Sequence, residues 1–158
     1  MLNKIAKFII ALTICEGAGL VGSIFTTPAI GGWYKTLIKP SFNPPNWLFA
    51  PVWTGLFFLM AIALYLVWTK NSATPINKKP ALIIFGAQLL LNIVWSLWFF
   101  GLKSPLAGLI EIIFLWFAIL LTIIYFAKIY KPATWLLAPY LVWVSFASFL
   151  NFYLWQLN

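Results

Sequence analysis

Acid–base, thiol and metal chemistry find little material in this chain: two glutamates, Glu16 and Glu111, one cysteine, Cys15, and no histidine. A histidine-based triad and the common zinc ligand sets therefore fall away, and a lone Cys15 excludes an internal disulfide. The abundant groups are flat rings, with ten tryptophans, six tyrosines and fifteen phenylalanines, interleaved with a few amides. They recur at helical spacing. Gln88, Asn92, Trp95, Ser96 and Phe99 form one stripe, and Tyr140, Trp143, Ala147 and Asn151 form another. Trp53 and Phe57 stand one turn apart, and Glu111, Leu115, Ala118 and Thr122 share a further face. Turned toward one another, such stripes would line a space for a large, planar, mostly apolar molecule. The same residues would serve as interhelical hydrogen-bond glue and space-filling rings. Spacing alone leaves both readings open.

The elements that must position these residues follow from composition. A chain of 158 residues that is 64% hydrophobic and 8% charged lacks the polar surface to cover itself in water, so it belongs in a bilayer. A hydrocarbon core of about 30 Å needs roughly 20 helical residues. Five segments qualify: Ile5 to Thr26, Trp47 to Trp68, Ala81 to Phe100, Pro105 to Ala127 and Thr134 to Trp155. In lipid every backbone polar group must be paired within the segment, which makes these spans helices; a barrel would show short alternating stretches instead. The expected fold is all-α, a five-transmembrane-helix bundle forming a single domain over residues 1–158, with Pro28, Pro80, Pro105 and Pro132 at the boundaries. The apolar run after Lys4 and Lys7 has the look of an export signal but continues to Phe25, so it reads as an uncleaved first span.

Charge sets the orientation. Seven lysines (Lys4, Lys7, Lys70, Lys78, Lys79, Lys128, Lys131) fall on one side of the five spans and three (Lys35, Lys39, Lys103) on the other. The positive-inside rule then places the N-terminus in the cytoplasm and the C-terminus outside. The net charge of +8 contains no arginine and no basic run longer than Lys78-Lys79, which argues against a nucleic-acid groove.

Within the first span, Gly17, Gly19 and Gly22 spell GxGxxG, but no strand precedes them and the surroundings are apolar helix, so the match is accidental. Ala11, Cys15, Gly19 and Ser23 recur every four positions and read as a small-residue ridge for a close helix neighbour. Glu16 lies near the middle of the span, where an ionised carboxylate costs at least about 2.5 kcal/mol. It reads as a neutral carboxyl hydrogen-bonded between helices. Between the first two spans runs WYKTLIKPSFNPPNWLFAPVW, Trp33 to Trp53, with four prolines and three tryptophans. Locked φ angles and large rings suit a rigid lid rather than a linker.

The wording of the chain adds to this. GSIFTTPAIGGWYKTLIKPSFNPPNWLFAPVW, then QLLLNIVWSLWFF, AGLIEIIFLW and PYLVWVSFASFLN, closely resemble, in order, the signatures of the tryptophan-rich sensory protein and translocator protein family, TspO/MBR. Members of that family are five-helix membrane proteins that bind tetrapyrroles, sterols and benzodiazepine-type drugs beneath the first extramembrane loop. The resemblance implies that Tyr34, Trp53, Asn92, Trp95 and Trp143 line that cavity, joined on their stripes by Phe57, Tyr140 and Ala147. It implies protoporphyrin IX or another tetrapyrrole as ligand, with no cofactor or metal required, with Lys35 and Lys39 on the lid near its propionates, and with a homodimer as the assembled form. The implied function is porphyrin sensing or sequestration in a bacterial cell membrane. Two alternatives stand beside it: light-dependent porphyrin degradation with Trp53 and Trp143 as redox partners, and transport. The chain departs from animal members in one respect, since no Lys or Arg follows Tyr140 or Tyr153 to complete their cholesterol pattern.

Overall fold

The computed structural model describes residues 3–71 and 77–158 and is helical throughout its spans. The five spans are α1 (Lys4–Gly31), α3 (Phe49–Thr69), α4 (Lys79–Ser96), α5 (Pro105–Ile129) and α6 (Lys131–Leu157), and the short α2 (Trp33–Thr36) lies in the first loop. All five are long and apolar enough to cross a membrane. They pack as a closed ring in the order α1, α3, α6, α5, α4 and back to α1. Five crossings leave the two termini on opposite faces.

The helix starts follow the local chemistry. Asn3 caps α1 by accepting from the Ala6 amide at 2.7 Å, and Ser104 caps α5 by accepting from Ala107 at 3.2 Å. Pro80, Pro105 and Pro132 sit in the first turns of α4, α5 and α6, where a missing amide proton costs nothing. Pro28 behaves differently from expectation. It lies inside α1, which runs on to Gly31, because the final turn is held by burial of Ala29 and lipid gives freed backbone no other partner.

The buried line of α1 also differs from the expected ridge. Ala11 and Cys15 are fully buried, but the line continues through Ala18, Gly22 and Ala29 rather than Gly19 and Ser23. A strict four-residue step advances about 400° and so drifts about 40° each time around the helix, whereas alternating fours and threes keep to one face. The close neighbours are α3 and α4 of the same chain. A Cβ on Gly19 would come within 2.7 Å of the Phe57 ring, and one on Gly22 within 3.0 Å of Ser96 Oγ.

At its C-terminal end α4 widens into a π-turn, Leu97–Gly101, closed by the Leu102 amide donating to the Leu97 carbonyl at 2.8 Å. The extra residue per turn lets two consecutive rings, Phe99 and Phe100, both face inward, 4.7 Å apart at 79°. Lys103 then takes a left-handed φ of 54° to turn the chain into α5.

Candidate functional site

Trp53, on α3, stands at the junction of two spaces. Its ring lies 5.9 Å from Trp95 of α4 at 33°, 6.3 Å from Tyr140 and 6.5 Å from Trp143 of α6. On one side is a cavity of about 310 Å³ between α1, α3 and α4. On the other, beneath the first loop, is a void of only about 20 Å³ among Tyr34, Phe49, Phe99, Phe100 and Trp143. Trp53 and Trp95, together with Phe49 and Phe100, line both and form the partition.

The first loop is a packed lid. Tyr34 is 1% exposed, its ring set against Phe49, Phe99 and Phe100, and its hydroxyl donates to Asn43 Oδ1 at 2.6 Å. Burial pushes the Tyr34 phenol up to about 12. Phe42 stacks on Phe149 of α6 at 5.4 Å and 27°. The last residue pins the loop from the far end of the chain: Ile38 N–H donates to Asn158 Oδ1 at 2.9 Å, and Asn158 Nδ2 donates back to the Ile38 carbonyl at 3.0 Å. Prolines and rings give this loop a fixed shape, and the Asn158 clamp fixes where it sits.

Two buried polar links cross the bundle. Asn92 Nδ2 donates to the Tyr140 hydroxyl at 2.8 Å, which donates to Gln88 Oε1 at 3.0 Å. Trp95 Nε1 donates to Asn151 Oδ1 at 3.3 Å, and Asn151 Nδ2 donates to the Pro105 carbonyl at 2.7 Å. Both amide stripes therefore hold helices together. Glue and lining coexist on them: Asn92, Trp95 and Asn151 bond across helices and also border one or other of the two spaces.

Of the eight residues expected to line one cavity, Trp53, Phe57, Asn92 and Trp95 line the larger space, while Tyr34, Trp143 and Ala147 join Trp53 and Trp95 around the smaller. Tyr140 is fully buried. Lys35 is exposed on the lid. Lys39 folds back, with Nζ 3.0 Å from the Leu37 carbonyl, 3.3 Å from that of Lys35 and 5.1 Å from the Tyr34 ring centroid. Glu16 also departs from expectation. Among the described residues it makes no hydrogen bond to another helix, and it lines the larger cavity, because it projects from α1 beside the small-residue face rather than into it.

Several lining residues escaped the sequence reading. Phe100 lies adjacent to Phe99, and no α-helical spacing turns both inward; only the π-turn does. Thr26 and Thr54 bond to carbonyls on their own helices and leave no periodic signal of their own, while Ser23 shows only as part of the small-residue ridge. Glu111 is 2% exposed, with both carboxylate oxygens lacking a hydrogen-bond partner among the described residues, and the buried Trp143 Nε1 is likewise unpartnered.

A ring of five apolar helices closed by an aromatic, proline-shaped first loop can now be set beside known proteins. The chain is 48% identical to the "Tryptophan-rich protein TspO" of Chlorobaculum tepidum over 162 aligned positions, covering 100% of this chain and 99% of that one. It is 33% identical to the "Tryptophan-rich sensory protein" of Cereibacter sphaeroides, covering 97% and 92%. To the "Translocator protein" of Homo sapiens it is 33% identical, covering 87% and 82%. The family model for TspO/MBR matches residues 11–156. With likeness that runs through all five spans and the lid between the first two, this integral membrane protein belongs to the TspO/MBR family.

Proposed function

We propose that the protein is a receptor-like binder of porphyrins, protoporphyrin IX in the first place, and related planar apolar molecules, held against Trp53 beneath the first loop. The observation that carries this reading is the position of Trp53, whose ring walls both spaces. A flat ligand needs flat partners, and Trp53, Trp95 and Trp143 supply three within 6.5 Å of ring-to-ring contact. The larger space, about 310 Å³, is at the lower end of small-molecule pockets, roughly 300–1,000 Å³, so a tetrapyrrole would have to displace the Trp53–Trp95 partition and occupy both sides. Lys35, free on the lid surface, is placed to meet a propionate; Lys39 would have to give up its loop carbonyls to do the same.

A second reading rests on the buried, unpartnered indole N–H of Trp143 at the end of the Trp95–Trp53–Trp143 series. Indoles are readily oxidised, and such a series suits electron transfer to a photoexcited pigment, making the protein a light-dependent porphyrin-degrading enzyme. Absorption of the purified protein with protoporphyrin, in darkness and then under illumination, separates the two. Trp53→Phe and Trp143→Phe should keep most of the affinity, each losing about 0.5–1.5 kcal/mol, the value of an aromatic pair. Bleaching as fast in both variants as in the parent excludes the enzyme; failure of the parent to shift the pigment spectrum excludes the binder.

The orientation belongs to this proposal as well. Seven lysines against three support an N-terminus in the cytoplasm and a lid outside, and thiol labelling at an introduced cysteine at position 36 from outside tests it; the bacterial cell membrane follows from the resemblance. The homodimer expected from the family is testable by cross-linking in native membranes.

A further inference from the structure

The aromatic reading leaves the chemistry of the larger cavity unexplained. Three of its hydroxyls have committed their protons: Ser23 donates to the Leu20 carbonyl at 2.7 Å, Thr26 to Gly22 at 3.2 Å and Thr54 to Ala50 at 2.9 Å. Asn92, at the back, has turned its amide toward Tyr140. What these groups offer the cavity is lone pairs. Glu16 adds a carboxyl to the same lining, and no lysine joins it there. Asn46, Thr27, Ser96 and the Trp53 indole line the cavity as well and can donate, so what sets it apart is its one ionisable group, a carboxyl with no cation beside it among the described residues.

Its mouth opens between α1 and α3 toward the bilayer. Leu20, on the rim, is 69% exposed, and Ala50 and Thr54 are exposed on the facing helix. A ligand dissolved in lipid can enter sideways without passing the lid. An ionised carboxylate at this depth is costly unless a counter-ion comes with the ligand.

We propose that the Glu16 side of this cavity is a subsite of its own, for a lipophilic amine taken up from the bilayer, with Glu16 as the partner of its nitrogen. An ammonium carries three donors and no acceptor, which matches the carboxylate and the spare lone pairs around it. The apolar part of the ligand lies along Leu20, Phe57 and the Trp53 ring. The subsite shares the Trp53 wall with the porphyrin reading but does not depend on it, since it needs no movement of the Trp53–Trp95 partition.

The probe is a dansylated decyl chain ending in a primary amine, compared with its N-acetylated neutral twin, with the protein in phosphatidylcholine vesicles and energy transfer from tryptophan to dansyl as the readout. The parent should bind the amine saturably and at least tenfold more tightly than the twin. Glu16→Gln should bring the amine down to the affinity of the twin while leaving the twin within twofold of its parent value, which also reports that the groove is intact. Glu16→Asp, which keeps the carboxyl, should retain most of the preference. Equal affinity of the parent for the two probes, absence of saturable binding, or an unchanged preference in Glu16→Gln would overturn the proposal.

Discussion

The two spaces on either side of Trp53 share four rings, Phe49, Trp53, Trp95 and Phe100, and differ in what completes them. Beneath the lid, Tyr34, Phe49, Phe99, Phe100 and Trp143 pack edge to face and leave about 20 Å³. Toward α1, Gly19, Gly22, Ser23, Ala50 and Thr54 leave about 310 Å³. Rings fill the space they surround, whereas small residues can either bring helices together or hold a cavity open. On α1 they do both at once: Gly19 and Gly22 border the cavity, yet a Cβ on either would crowd Phe57 or Ser96. The capacity of the protein therefore lies where its sequence is least conspicuous.

Breaking the partition should have the largest effect. Trp95→Ala removes a buried ring, its bond to Asn151 and the wall between the spaces, and should cost about 3–5 kcal/mol of stability, read from thermal unfolding in detergent. Cutting the polar link through Tyr140 comes next. Tyr140→Phe leaves Gln88 and Asn92 each short of a partner, and should cost about 1–3 kcal/mol in the same assay.

The lid adds a pH dependence. The Tyr34 phenol is raised from an ordinary value of 10 to about 12 by burial, so the folded state favours the neutral form. Its contribution is full below pH 10 and is lost as pH rises from 10 through about 12. Protection of the lid from proteolysis should fall in that window, and Tyr34→Phe should remove the step. The groove side should be nearly silent by comparison. Thr54→Val keeps the shape and removes a hydroxyl that bonds only to its own helix, so unfolding should move by no more than about 0.5 kcal/mol. A large loss there would mean that the groove, too, is a packed wall.

The contrast also explains what the sequence could reveal. Five spans were legible because about 30 Å of hydrocarbon demands long apolar helices, and a helical period puts Gln88, Asn92, Trp95 and Ser96 on one buried face. The lid was legible from Pro40, Pro44 and Pro45, which forbid a continuous helix. The division of the site into two spaces was not, since it depends on how Trp53 and Trp95 meet across α3 and α4, a tertiary fact with no period. Nor was the π-turn that brings in Phe100, or the clamp between Ile38 and Asn158, 120 residues apart in sequence. Glu16 was visible as an intramembrane acid, but its surroundings were not, because a straight buried line on α1 passes through Cys15 and Ala18 and leaves Glu16 beside it.

The account turns on Trp53 as the shared wall against which a planar ligand rests. Titration of protoporphyrin IX in darkness into the purified parent and into Trp53→Ala, with Trp116→Phe as a control on the far side of the bundle, addresses it directly. The parent and the control should give the same saturable shift in the pigment spectrum, and Trp53→Ala should weaken binding at least tenfold while retaining its helical circular dichroism. A parent that gives no saturable shift, or a Trp53→Ala protein that binds as tightly as the parent, would contradict the account.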